Sequence, residues 1–255
     1  MELNLEKYRH IPHGDMPGDK ICIEESHVNK AGRILPVLEE EIEKEKMNGK
    51  EKVVVTVCGG SGVGKSEIAS LLAHMLNEKG KSCYVLSGDN YPHRIPCEND
   101  KKREEVYEKG GYEALVNYLG SQQEIDFEKV NHILKAFKNG KEKISLKRMG
   151  RTPEEQWYEE VDFSRVDILF LEWTHGNSDC LTEVDIPILL NSTPEETLAH
   201  RKARNRDQGV DTPFVNMVLE IEQEMLKKQA YKAKIIVTKD GELITYSEYK
   251  KIMER

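Results

Sequence analysis

The chain has 255 residues, with 38 Lys and Arg against 46 Asp and Glu, so its formal charge is −8. That length can bury a sizeable core in one large domain or two small ones. The acidic balance speaks against a protein that coats nucleic acid, which needs a basic surplus. No run approaches the roughly 20 apolar residues of a membrane span, and the charged opening MELNLEKYRHIPHGD has no apolar core for a signal peptide. Five scattered cysteines without a CxxC pair fit reduced thiols in a cytoplasmic protein, and zinc is not expected.

Residues 1–27 lack periodicity and contain Pro12, Gly14, Pro17 and Gly18, which predicts an irregular arm. Over residues 28–47, Ile34, Leu35, Leu38 and Ile42 recur near helical spacing, so an amphipathic helix is expected up to the break at Asn48-Gly49-Lys50. Val53-Val54-Val55-Thr56-Val57 reads as a strand covered on both faces. After a glycine-rich stretch, Ile68, Leu71, Leu72, Met75 and Leu76 mark a helix closed by Gly80. Cys83-Tyr84-Val85-Leu86 is a second strand, stopped by Ser87-Gly88-Asp89. Residues 90–112 read as a charged loop, followed by helices around 113–119 and 127–138.

Ile168-Leu169-Phe170-Leu171 and Ile186-Pro187-Ile188-Leu189-Leu190 are the third and fourth buried strands. Thr193-Pro194-Glu195-Glu196 opens a helix with a hydroxyl cap, a proline in the first turn and early acids. That helix runs into residues 201–206, another covers about 213–228, and residues 234–238 give a fifth strand. Alternation of this kind predicts an α/β fold: a parallel sheet of about five strands with helices on both faces. The expected division is an arm with its helix (1–52), a core (53–240) and a C-terminal tail (241–255).

The strongest motif is Gly59-Gly60-Ser61-Gly62-Val63-Gly64-Lys65-Ser66, which fits G-x-x-x-x-G-K-[ST] between a strand and a helix. Glycines let the backbone curl so that successive N–H groups face an anion, and the helix adds its positive end. Lys65 can reach the β- and γ-phosphates of ATP, and the Ser66 hydroxyl can ligate Mg²⁺. A P-loop NTPase fold is therefore expected.

In open parallel sheets, ligands sit beyond the carboxyl ends of the strands. Asp89 follows the second strand and Glu172 directly follows Ile168–Leu171, and either can hold Mg²⁺ or accept a hydroxyl proton. His175 is expected to be structural. Arg201, Arg204 and Arg206 exceed what a helix C-terminus needs and suit a lid that closes over a triphosphate. Lys147-Arg148-Met149-Gly150-Arg151, with Arg94 nearby, reads either as a solvated loop or as an anion-binding acceptor site.

Taken in order, GGSGVGKS, SGDNYPHR, DFEKVNHILKAFKNGK, ILFLEW, IPILLNSTPEETLAHRKARNRD and KIIV resemble the uridine kinase/phosphoribulokinase group of P-loop kinases over about residues 53–238. The resemblance implies that Asp89 lies near the acceptor hydroxyl and metal with Tyr91 nearby, that Glu172 closes the third motif, and that the lid arginines are Arg201, Arg204 and Arg206. YVLSGDNYPHR is also similar to adenylylsulfate kinases, whose later lid segment is missing here. The nucleoside-holding segment of uridine kinases is replaced by the cationic ISLKRMGR. The expectation is an ATP- and Mg²⁺-dependent kinase acting on a hydroxyl of a small, anionic metabolite. The alternatives are an adenylylsulfate kinase-type transferase and a P-loop ATPase or nucleotide switch. A small-molecule partner is expected, without nucleic acid or membrane, and the arm is expected either to form a homodimer or to cover the site.

Overall fold

The computed structural model describes residues 5–204 and 211–254. A 3-10 turn (Leu5–Tyr8) and an irregular arm lead to α1 (Glu25–Met47), where the Glu24 N–H donates to His27 Nδ1 at the helix start. β1 (Val53–Gly59) and α2 (Lys65–Glu78) follow, then β2 (Cys83–Ser87) and a single 3-10 turn, Gly88–Asn90. α3 (Pro96–Tyr118) and α4 (Phe127–Lys138) precede a hairpin of β3 (Lys143–Met149) and β4 (Gln156–Asp162). The chain returns to the main sheet with β5 (Ile168–Glu172) and β6 (Ile186–Leu190), then α5 (Pro194–Arg204) and α6 (Pro213–Gln229). β7 (Ile235–Val237), β8 (Leu243–Ile244) and α7 (Tyr246–Met253) complete it.

The main sheet has the order β2-β5-β1-β6-β7-β8. The five expected strands are parallel, and β8 adds an antiparallel edge to β7. Strand alternation divides the core: Val53, Val55 and Val57 of β1 pack with Ile34, Leu38 and Leu72 of α1 and α2, while Val54 packs with Val130, Leu134 and Phe137 of α4. Glu172, ending β5, lies in register with Val57 on one side and Ser87 on the other. The carboxyl ends of three neighbouring strands are thereby level, which is where a ligand site forms.

Three segments differ from the sequence reading. Residues 96–112 belong to α3 rather than to a loop, with the helix interrupted at Gly111 (φ 69°, ψ −162°). Of its 23 residues only Asn99, Leu115 and Tyr118 are buried, so no apolar stripe announces it. The hairpin was not expected either, because β4 (QWYEEVD) is exposed along nearly its whole length and lacks a buried alternation. Past residue 240, Thr245 caps α7 and the ring of Tyr249 packs with Cys58 and Leu189, so this short segment carries an edge strand and a packed helix.

Candidate active site

The stretch Gly60–Gly64 bends from the end of β1 into α2, with Gly62 at φ 78° and Gly64 at φ 93°. Both lie in the left-handed region that side chains with a Cβ disfavour. At Gly62 a Cβ would also stand 2.8 Å from Arg201 Cγ, so the loop is held tight against α5. Lys65 opens α2, and its Nζ donates to Gly60 O at 3.0 Å. The loop leads straight into the positive end of α2, whose N-cap is Gly64, an arrangement suited to an anion.

Beside it lies Glu172, buried, with one carboxylate oxygen accepting from Ser66 Oγ at 3.2 Å and the other from Ser87 Oγ at 2.5 Å. Burial, followed by the charge of Asp89, pushes its carboxyl up to about 8. Asp89 is exposed on the 3-10 turn, which rests on Trp173 so closely that a Cβ at Gly88 would fall 2.0 Å from the indole. Lys65, Ser66, Asp89 and Glu172 are thus brought together.

Arg201 joins them from α5. It is buried against the loop, and Nη1 donates to Pro194 O at 2.7 Å and to Thr197 Oγ1 at 2.6 Å. Burial lowers its pKa. Its Nε is buried with no acceptor among the described residues, and it lies in a small cavity wall with Gly60, Ser61 and Glu222. Arg204 ends α5, while its side chain and all of Arg206 lie outside the described residues.

The acceptor-side expectations fare differently. Tyr91 is fully buried among core residues and has no solvent-facing edge for a ligand. Arg94 donates to Tyr118 Oη at 3.1 Å and to Gln123 O at 3.5 Å, both neutral acceptors. Arg148 corrects the reading of a free anion binder: it is buried and bonded to Asp15 at 2.7 Å, Glu159 at 3.0 Å and Tyr84 Oη at 3.1 Å. A guanidinium whose donors already meet two carboxylates has little left for a substrate anion. Arg151 is exposed and lines a cleft of about 370 Å³ together with Lys20, His27, Gly64, Glu67 and His200. His175 is packed between Trp173 and Phe127, and burial drops its imidazole to about 4.

Several residues of this region were not singled out from sequence. Ser87 could have been, since it closes the second apolar strand just before Gly88-Asp89; the register then sets it beside Glu172. Asp15 could not, because nothing local relates the arm to β2. A buried group on the other flank, Arg103 with Glu124 at 2.6 Å and Glu222 at 3.9 Å, ties α3 to α6, and both the Lys65 and Asp89 charges act on Glu222.

The residues present fit a nucleoside triphosphate and Mg²⁺. Arg201 offers a buried orphan donor beside the loop, and Ser66 Oγ with the Glu172 carboxylate forms an oxygen pair suited to a hard cation.

Comparisons with known proteins bear on the family and the fold. The Adenylylsulphate kinase family model matches residues 51–109, the segment from β1 into α3. Over 194 residues, 76% of its length, the chain is 48% identical to the bifunctional alpha-galactosidase/sucrose kinase AgaSK of Mediterraneibacter gnavus, and it spans 21% of that protein. Among solved structures, phosphoribulokinase from Rhodobacter spheroides superposes with a TM-score of 0.55 at 14% identity, over 74% of this chain and 70% of that one. A possible uridine kinase from Bacillus stearothermophilus gives 0.52 at 17% identity, over 78% and 98%. The α/β P-loop fold read from the sequence is the fold observed, and the resemblances to phosphoribulokinase- and uridine kinase-type folds and, locally, to adenylylsulfate kinases are met. Among the described residues no helix is long and apolar enough to cross a membrane.

Proposed function

We propose that the chain is an ATP-dependent kinase that transfers the γ-phosphate to a hydroxyl of a small carbohydrate. The observation that carries the reading is the convergence of the loop residues Lys65 and Ser66 with two strand-end carboxylates, Asp89 and Glu172, around one point. A P-loop that only senses nucleotide has no need of an exposed carboxylate held beside a buried one. A sugar is favoured over an anion for two reasons: the resemblance to a protein named for sucrose kinase activity, and the internal neutralisation of Arg148.

In this reading the loop amides and Lys65 hold the polyphosphate, and Arg201 gives its free Nε–H to a phosphate oxygen. Mg²⁺, when bound, supplies charge neutralisation on the transferring phosphate, with Ser66, Glu172 and Asp89 as the residues that would hold it. Asp89 orients the acceptor hydroxyl and takes its proton as the oxygen attacks. Lys65 and the arginines of α5 balance the charge that spreads over the moving group in a loose transition state.

Adenylylsulfate phosphorylation is the second reading, favoured by the match over residues 51–109. That match ends within α3, before the hairpin and β5, whereas the sugar-kinase similarity runs over 194 residues. The test is product analysis with γ-labelled ATP against neutral sugars, sugar phosphates, nucleosides and adenylylsulfate. Label in a neutral sugar is expected. Label confined to adenylylsulfate selects the second reading, and label only in free phosphate makes the protein an ATPase.

A further inference from the structure

The N-terminal arm takes no part in the sheet or the phosphate loop, yet it delivers a carboxylate to the turn that carries Asp89. Asp15 is almost wholly buried, and desolvation raises its pKa. Its Oδ1 accepts from the Ser87 N–H at 2.7 Å and from Asn90 Nδ2 at 3.2 Å. Its Oδ2 accepts from Tyr84 Oη at 3.0 Å and pairs with Arg148 Nη1 at 2.7 Å. Ser87 and Asn90 bracket Gly88 and Asp89. Asn90 Oδ1 in turn accepts from the Met149 N–H at 3.0 Å, which fastens the turn to β3. Next to it, Gly14 lies against the end of β2, where a Cβ would sit 3.3 Å from Val85 Cγ1 and 3.9 Å from Glu172 Oε1.

A proton acceptor works only within hydrogen-bond reach of its target, so the turn that carries it has to be held in place. One buried carboxylate, paired with Arg148, holds both sides of Asp89: the Ser87 backbone N–H before it and the Asn90 side-chain amide after it. We infer that Asp15 is a positioning residue for phosphoryl transfer, holding the Asp89 turn in place through the Ser87 N–H and the Asn90 amide. The inference rests on the kinase reading above. None of the contacts made by Asp15 reaches the phosphate loop, so its effect falls on turnover and not on nucleotide binding.

The experiment compares Asp15→Ala with Asp15→Asn in the full chain. Asp15→Ala removes both acceptors, and kcat is expected to fall about 100-fold, the scale of a misplacement of about 1 Å, while KM for ATP changes less than about twofold. Asp15→Asn keeps one oxygen for the Ser87 N–H and the Asn90 amide, and is expected to recover kcat to within about tenfold of wild type. Both variants lose the ion pair with Arg148, so their Tm should drop alike; a merely structural role would make kcat follow Tm. Hydrogen exchange of residues 87–91 should accelerate in Asp15→Ala and stay near wild type in Asp15→Asn. If Asp15→Ala does not fold, Asp15→Ala/Arg148→Met carries the same comparison without a buried unpaired cation. Turnover by the alanine variant within about twofold of wild type, equal losses in both variants, or unchanged exchange over 87–91 each overturns the inference alone. A wild-type protein that phosphorylates no acceptor overturns the kinase reading, and the inference with it.

Discussion

Two buried arginines stand on opposite flanks of the site and illustrate two uses of the same side chain. Arg201, on α5, meets neutral acceptors and keeps a buried Nε without a partner among the described residues. Arg148, on β3, is locked between Asp15 and Glu159. Their pKa values diverge accordingly: burial lowers that of Arg201, whereas at Arg148 burial is opposed by the Asp15 charge together with Tyr84 and Glu159, and the net direction is up. Both come from basic clusters that look alike in the sequence. What separates them is whether the fold brings a carboxylate to the guanidinium: an unsaturated one is left for a ligand, and a saturated one holds structure.

The largest expected effect sits at the point both flanks serve. Lys65→Ala should cut phosphoryl transfer by about a thousandfold or more, because charge stabilisation is the main catalytic term in such sites. Tm should barely move, and labelled-ATP assays with thermal melts would check both. Next comes the direct contrast between the arginines. Arg201→Ala should lower kcat about 100- to 1000-fold with little change in stability. Arg148→Ala should instead cost about 3 kcal/mol of stability by leaving Asp15 buried without its cation, read as a shift in denaturation midpoint. Equal stability losses in both variants would erase the distinction.

A smaller effect concerns pH. Burial raises the carboxyl of Glu172 from its ordinary 4.5 to about 8 in the folded protein. Between those values the native state keeps a proton that the unfolded state has released. Its contribution to stability is therefore full below pH 4.5 and lost as pH rises through 8. The imidazole of His175, lowered from 6.5 to about 4, acts oppositely and withdraws stability as pH falls from 6.5 towards 4. The Tm of the metal-free protein should decline between pH 6 and 9, and Glu172→Gln should flatten that decline. A slope unchanged by the substitution would mean that Glu172 is ionised in the folded protein.

The sequence alone determined the nucleotide flank. A glycine run followed by Lys-Ser permits the left-handed backbone of a phosphate loop, β-branched stretches announce buried parallel strands, and a strand-loop-helix order places Lys65, Ser66, Asp89 and Glu172 at one edge, since each is local to its own element. The tertiary structure decided the other flank. Asp15 meets Arg148 across 133 residues, α3 shows almost no apolar face, and β4 is exposed along nearly its whole length. A pairing over that distance leaves no periodicity or spacing in the chain. Only packing tells a guanidinium that meets a carboxylate from one that waits for a ligand.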